Sequence, residues 1–170
     1  QADLFPVALP PPDPYRKAVA AVHAIPNQPM TLIQRKLSNA LLKHATKHPR
    51  DADGFWSTTS SRLREEIDFD SNNTSHLKSA AKQLVSMTFE FDVLSGDDRS
   101  PYYDVGNLFS RIQLFRNGQV RFKLSDDVAD DLLKPSIYAL IDMSVIRSFR
   151  SSVSCALYEF ATRFEGIGQT

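Results

Sequence analysis

The chain has 170 residues, of which 42% are hydrophobic and 24% charged, enough for one globular domain with at most a short arm. Twenty Lys and Arg balance twenty Asp and Glu, so the net charge by itself argues against a strong nucleic-acid binder. No apolar run approaches the roughly 20 residues that span a bilayer, and the single cysteine, Cys155, excludes an internal disulfide.

No basic-then-apolar leader opens the chain, so the expected location is the cytoplasm, whose reducing medium also suits a buried structural thiol at Cys155. Gln1 in place of Met reads as a trimmed or excised piece. Residues 1–16 carry Pro6, Pro10, Pro11, Pro12 and Pro14, which forbid helix and central strand and predict an extended, mobile arm. Residues 17–25 alternate weakly, as a strand or an approach segment would. From Pro14 to Arg50 there is no acid, while Arg16, Lys17, Arg35, Lys36, Lys43, Lys47 and Arg50 are basic. Residues 51–132 hold fifteen acids against nine bases. A neutral sum therefore coexists with a segregated basic surface.

Thr31 and Gln34 have the spacing of a capping box. The helix they open buries Ile33, Leu37, Ala40, Leu41 and Ala45, presents Lys36, Asn39, Lys43 and Lys47 outward, and stops before Pro49. His44 and His48 are four apart, a spacing that could hold a metal only with a third ligand. None is near in sequence, so no metal site is expected. Phe55–Thr58 is short and β-prone, and Thr59-Ser60-Ser61 caps a brief helix carrying Leu63 and Ile67. After a polar turn at 68–72 a third helix begins near Asn73 or Thr74. It buries Leu77, Ala80, Ala81, Leu84 and Val85, shows Ser75, Lys78, Ser79, Lys82 and Ser86 outward, and contains no acid.

Helix, short strand, helix, tight turn, helix is the order of a winged helix-turn-helix, an α+β fold whose third helix enters the DNA major groove by its N-terminal end. Asn72, Asn73, Thr74, Ser75 and His76 sit there and can approach phosphates or base edges. An ordinary N-cap cluster explains the segment equally well when it is taken alone.

Phe89, Phe91 and Val93 alternate with Glu90 and Asp92 as in a strand with one wet face, and 96–101 is an acidic loop. Residues 108–124 give the clearest hairpin signal, around Arg116-Asn117-Gly118. A two-residue turn would mix apolar and basic side chains on both faces. A three-residue loop with Gly118 left-handed pairs Leu114 with Val120, Ile112 with Phe122 and Ser110 with Leu124. Its other face is Arg111, Gln113, Arg121 and Lys123, a basic wing suited to phosphates. Ser125 caps a short helix that buries Val128, Ala129, Leu132 and Leu133, and Asp126, Asp127, Asp130 and Asp131 form a solvated acidic face. Residues 138–146 read as a short strand entering a turn of helix at Ser144. In 148–164, Phe149, Val153, Ala156, Leu157, Phe160, Ala161 and Phe164 recur at the spacing of one helix face, which is expected to be the buried seat of the domain.

No Gly-rich phosphate loop, zinc spacing or nucleophile elbow occurs, so neither enzyme chemistry nor a cofactor is expected. DNA binding and protein–protein association remain. Two sets of strings carry a resemblance. The first is Ser144–Phe149, Ala156-Leu157-Tyr158-Glu159-Phe160, Arg163-Phe164 and Gly166-Ile167-Gly168, and the second is Met30–Leu37 with Phe69–Lys78. Together they resemble the first winged-helix domain of iteron-binding plasmid replication initiators, from about Lys17 to Thr170.

That resemblance implies a domain over 17–165, with residues 166–170 starting a linker to a second winged-helix domain. It implies double-stranded DNA partners (origin iterons and an operator), a homodimer, and host replication proteins such as a helicase or chaperones. Carried over by position, the DNA-facing candidates are Asn72, Asn73, Thr74, Ser75, Lys78 and Lys82, with Arg111, Arg121 and Lys123 on the wing. For dimerisation the candidate is the strand 108–115, through Leu108, Phe109, Leu114 and Phe115, with Phe109 and Phe115 either on its outer face or covering the domain's own core.

Overall fold

The computed structural model describes residues 9–70, 74–91, 101 and 103–165. Asn72, Asn73, Val93, Asp92, most of the acidic loop and the expected linker lie outside these residues.

The fold is built on α2 (Leu32–Lys47), whose start is fixed by both halves of the capping box. The Thr31 Oγ1 accepts the Gln34 N–H at 3.2 Å, and the Gln34 Oε1 accepts the Thr31 N–H at 2.9 Å. Leu37, Ala40, Leu41 and Ala45 are buried as expected, but the expected outward face is not outward. Lys36, Asn39 and Lys43 are 4%, 1% and 8% exposed, and only Lys47 lies at the rim. Periodicity assigns one apolar stripe to a helix. It does not register that the strand Pro14–Ala18 and the helices Ser60–Glu66, Thr74–Ser86, Asp126–Leu133, Met143–Ser148 and Ser152–Thr162 all pack on this one. Each buried polar group has instead found a partner: Lys36 Nζ donates to the Arg147 carbonyl at 2.7 Å, and Lys43 Nζ pairs with Glu66 at 2.9 Å.

β1 (Pro14–Ala18) pairs antiparallel with β8 (Tyr138–Asp142), Pro14 opposite Asp142 and Ala18 opposite Tyr138. Pro14, Tyr15 and Arg16, assigned to the arm on proline content, are therefore part of a sheet. Asp13 extends the tie: its N–H donates to Asp142 Oδ1 at 3.0 Å and its carbonyl accepts the Met143 N–H at 2.9 Å. A short α1 (Val19–His23) leads to β2 (Ile25–Pro26), which joins β4 (Phe89–Phe91) and β5 (Asp104–Gly106) in a small antiparallel sheet.

The helix-turn-helix follows the expected order. β3 (Trp56–Thr59) leads into α3 (Ser60–Glu66), capped by Thr59, whose Oγ1 accepts the Arg62 N–H at 3.2 Å. The turn beyond α3 holds Asp68 at φ +52°, a left-handed non-glycine residue, as helix ends often require. α4 spans Thr74–Ser86, with Leu77, Ala80, Ala81 and Leu84 inward.

β6 (Phe109–Leu114) and β7 (Gln119–Leu124) form the hairpin, and β3 pairs with the other edge of β7. The three-residue loop is present, with Gly118 at φ +86° and the Phe115 N–H donating to the Gln119 carbonyl at 2.9 Å. Leu114 faces Val120 and Ile112 faces Phe122 as expected, but Ser110 does not face Leu124. A bulge between Phe109 and Arg111 puts Phe109 opposite Leu124. The extra residue turns Phe109 inward, where it is fully buried; with Leu108 it belongs to the core and not to an outer apolar face.

α5 (Asp126–Leu133) keeps its four aspartates exposed. The C-terminal stretch is two helices, α6 (Met143–Ser148) and α7 (Ser152–Thr162), the second capped by Ser151. The face expected to be buried is the exposed one: Val153 is 76%, Leu157 65%, Phe160 48% and Phe164 47% exposed. Cys155, Glu159 and Thr162 point inward instead. The reason is Glu159, whose Oε2 lies 2.7 Å from the buried Lys17 Nζ. Its Oε1 accepts from Asn39 Nδ2, and Asn39 Oδ1 accepts from Lys17 and from the Tyr15 hydroxyl. Turning α7 to bury its apolar stripe would leave the Lys17 ammonium inside without a counter-charge, at a cost of about 3–5 kcal/mol.

Candidate nucleic-acid interface

α4 is amphipathic in an unusual way: its outer face is polar but carries only positive charge. Thr74, Ser75, Lys78, Ser79, Lys82 and Ser86 are all exposed, as the sequence predicts. Lys78 and Lys82 lie four apart on this face and form no ion pair with any described residue. No acid lies within the helix to offset them. The inner face packs on α2 and β6, which fixes how the outer face is presented. The Gln34 side chain donates to Gln83, a further pin between α2 and α4. His76, near the exposed start, sets its ring edge-on to Phe69 with centroids 5.6 Å apart.

The wing is less uniform than its sequence suggests. Arg111 is exposed and unpaired among the described residues. Arg121 is not free: its Nη2 lies 2.7 Å from Asp51 Oδ2, and its guanidinium lies over the Phe55 ring at 4.4 Å. The Asp51 carboxyl is held below the usual carboxylate range by the Phe55 N–H and next by this guanidinium, so the pair is charged at neutral pH. Lys123 reaches Asp126 at 3.6 Å, and a Cβ at Gly54 would meet its stem at 3.1 Å. Thus one of the three wing cations expected to hold phosphates is available, and two are shared with acids of the β3 approach and of α5. Sequence alternation reports that a side chain faces outward, not what stands beside it.

Arg116 at the wing tip and Arg62 on the first turn of α3 are exposed cations that the sequence reading passed over. The Ser60 N–H donates to the Gly118 carbonyl at 2.8 Å and Thr59 faces Gln119, so the tip of the wing is tied to the start of α3. Neither residue belongs to a local motif, and only this hydrogen bond reveals the juxtaposition.

Of the residues expected at a dimer interface, Leu108 and Phe109 are core, Leu114 is half-buried and Phe115 is 41% exposed. Among the described residues β6 is an end strand of its sheet, and its outer backbone edge has no strand partner among them. Among the described residues no group of three or more His, Cys, Asp or Glu side chains could hold a metal, and no helix is long and apolar enough to cross a membrane.

Helix-turn-helix plus three-stranded wing sheet defines an α+β winged-helix domain. The chain belongs to the initiator replication protein WH1 family, whose model matches residues 15–162. In structure it is similar to the Pi initiator protein solved in complex with iteron DNA, with a TM-score of 0.62 and 14% identity over 90% of this chain and 64% of that one. It is also similar to domains 2 and 3 of RctB, with a TM-score of 0.58 and 10% identity over 95% of this chain and 66% of that one. At these identities the likeness is one of fold, and the chain spans about two thirds of each neighbour. No curated protein matches the chain by sequence.

Proposed function

We propose that this chain is the first winged-helix domain of a plasmid replication initiator, which contacts origin iteron DNA largely through its backbone and performs no chemistry of its own. The observation that carries the reading is the exposed, acid-free face of α4 with Lys78 and Lys82, together with Arg111, unpaired among the described residues, on the wing strand β6 that α4 packs against. Family membership and the structural likeness to an initiator solved on iteron DNA support it. Thr74 and Ser75, with Asn72 and Asn73 just before them, are the proposed close-approach residues. Lys78, Lys82 and Arg111 are the proposed phosphate contacts. Arg121 and Lys123 contribute only if DNA displaces Asp51 and Asp126.

Fluorescence anisotropy against a duplex from the protein's own origin tests this. Affinity is expected to fall with salt by about one log unit per log salt for each phosphate contacted. Lys78→Glu with Lys82→Glu abolishes binding; undiminished binding by that variant removes α4 from the interface.

Homodimerisation through β6 is the companion reading, favoured by an edge of that strand that is unpaired among the described residues. Because Phe109 is buried, the contact consists of the strand backbone with Leu114 and Phe115. Sedimentation is expected to show a dimer that Phe115→Glu converts to monomer. A wild-type chain that is monomeric at every concentration defeats this reading and leaves DNA binding untouched.

A further inference from the structure

The C-terminal half of α2, β3 and α3 enclose a cleft of about 160 Å³, room for about five waters. Its wall holds three side-chain cations, Lys43, Lys47 and Arg62, against two carboxylates, Asp13 and Glu66. Those carboxylates are already engaged: Lys43 pairs with both, and Arg147 approaches each at 3.5 Å. Among the described residues Lys47 reaches only Asp13, at 3.5 Å, and its side chain is 43% exposed. The Arg62 guanidinium forms no ion pair with any described residue. Thr58 also lines the cleft, and its Oγ1, buried from solvent, has no hydrogen-bond partner among the described residues. An unpartnered buried hydroxyl is rare, because it forfeits its bonds to water without replacement.

The imidazoles of His44 and His48 complete the wall, stacked with centroids 4.0 Å apart. Burial, followed by the neighbouring His48, holds His44 below the usual histidine range, so it is neutral at pH 7 and hydrogen-bonds through its ring to the Ser57 backbone. Spare positive charge and an orphaned hydroxyl in a small cleft are groups that bind an oxyanion, and the two imidazoles stand beside them in the same wall.

We propose that this cleft binds a phosphate group, with Arg62 and Lys47 supplying the counter-charge and the Thr58 hydroxyl a hydrogen bond, beside the two imidazoles, whose own N–H groups face backbone carbonyls. The phosphate is either inorganic phosphate or a phosphodiester of a bound duplex. Arg62 stands on the turn of α3 to which the wing tip is tied, so the second source rests on the DNA reading above. The first source does not.

The histidine ring resonances, recorded slightly above neutral pH, give the test. Sodium phosphate is expected to shift the His44 and His48 signals saturably, beyond a sodium chloride control of equal ionic strength. Arg62→Gln is expected to weaken the phosphate titration on the order of tenfold or more, since a charge-assisted pair is lost. Thr58→Val is expected to weaken it several-fold while leaving the melting temperature unchanged or raised, because an unpaired hydroxyl is removed at nearly constant shape.

A short duplex oligonucleotide then distinguishes the sources. If it moves the same signals and phosphate competes, the site takes a DNA phosphodiester. If only inorganic phosphate moves them, the site takes a free phosphate. The proposal is overturned if neither probe exceeds the chloride control, or if Arg62→Gln and Thr58→Val both titrate like the wild type. Because Lys78 and Lys82 lie elsewhere, on α4, failure here leaves their test of DNA binding standing.

Discussion

Lys17, Asn39, Glu159 and Tyr15 form a closed polar cluster inside the domain, with Lys17 and Glu159 side chains only 7% and 5% exposed. Such a pair adds little net stability when intact, but breaking it strands a charge in a medium of low dielectric. Glu159→Ala is therefore expected to cost about 3–5 kcal/mol in urea unfolding, whereas Lys17→Met combined with Glu159→Leu costs much less. Equal losses in the two variants would show that the network is not closed. Cys155 lies against the same cluster, and burial, followed by the Glu159 charge, pushes its thiol up to about 12. A thiol reagent at mildly alkaline pH is expected to label Cys155 only as fast as the domain unfolds. Rapid labelling of native protein would contradict the packing described for α7. Cys155 is buried as expected, but on the face opposite the apolar stripe that was expected to bury it. Glu159 was not legible in the sequence, because its partners are 120 and 142 residues away.

At the scale of elements, β6 and α7 make opposite points about burial. Phe109 is fully buried through the bulge beside it, so Phe109→Ala is expected to cost about 3–5 kcal/mol. Leu157, though equally apolar in kind, is 65% exposed, and Leu157→Ala is expected to change stability by no more than about 0.5 kcal/mol. Thermal melts of the two variants decide both; a large loss at Leu157 would mean that its face is covered. The hairpin loop was readable because a glycine at the left-handed position and strict alternation select one register. The bulge was not, since an extra residue in a strand leaves no mark on composition. α4 was readable on both faces because only one of them touches the protein. α2 was misread because neighbours surround it, and α7 because apolar residues lie on the face that its charged partner forces outward.

Across the whole molecule, Asp13 joins the segment before β1 to α2 through Lys43 and Lys47 and to α6 through Arg147. Burial pushes its carboxyl up, but Lys43, with Lys47 and Arg147, outweighs burial and holds it below its ordinary value. A depressed carboxylate contributes stability that is present above its unfolded pKa of about 4 and is lost as pH falls through the lower folded value. Wild-type stability should therefore decline below about pH 4, and Asp13→Asn should be less stable at neutral pH with a shallower acid decline. Parallel acid limbs in the two proteins would remove Asp13 from this role. The sequence alone determined the order of elements from α2 to α4 and from β6 to α7, the capped start of α2, the wing loop and the acid-free face of α4, because each depends on neighbours within a few residues. Only the tertiary structure decided which cations remain free for a partner. Lys17, Lys36, Lys43 and Arg121 are engaged by groups distant in the chain, and charge availability is a property of what packs beside a residue and not of its place in a periodic pattern.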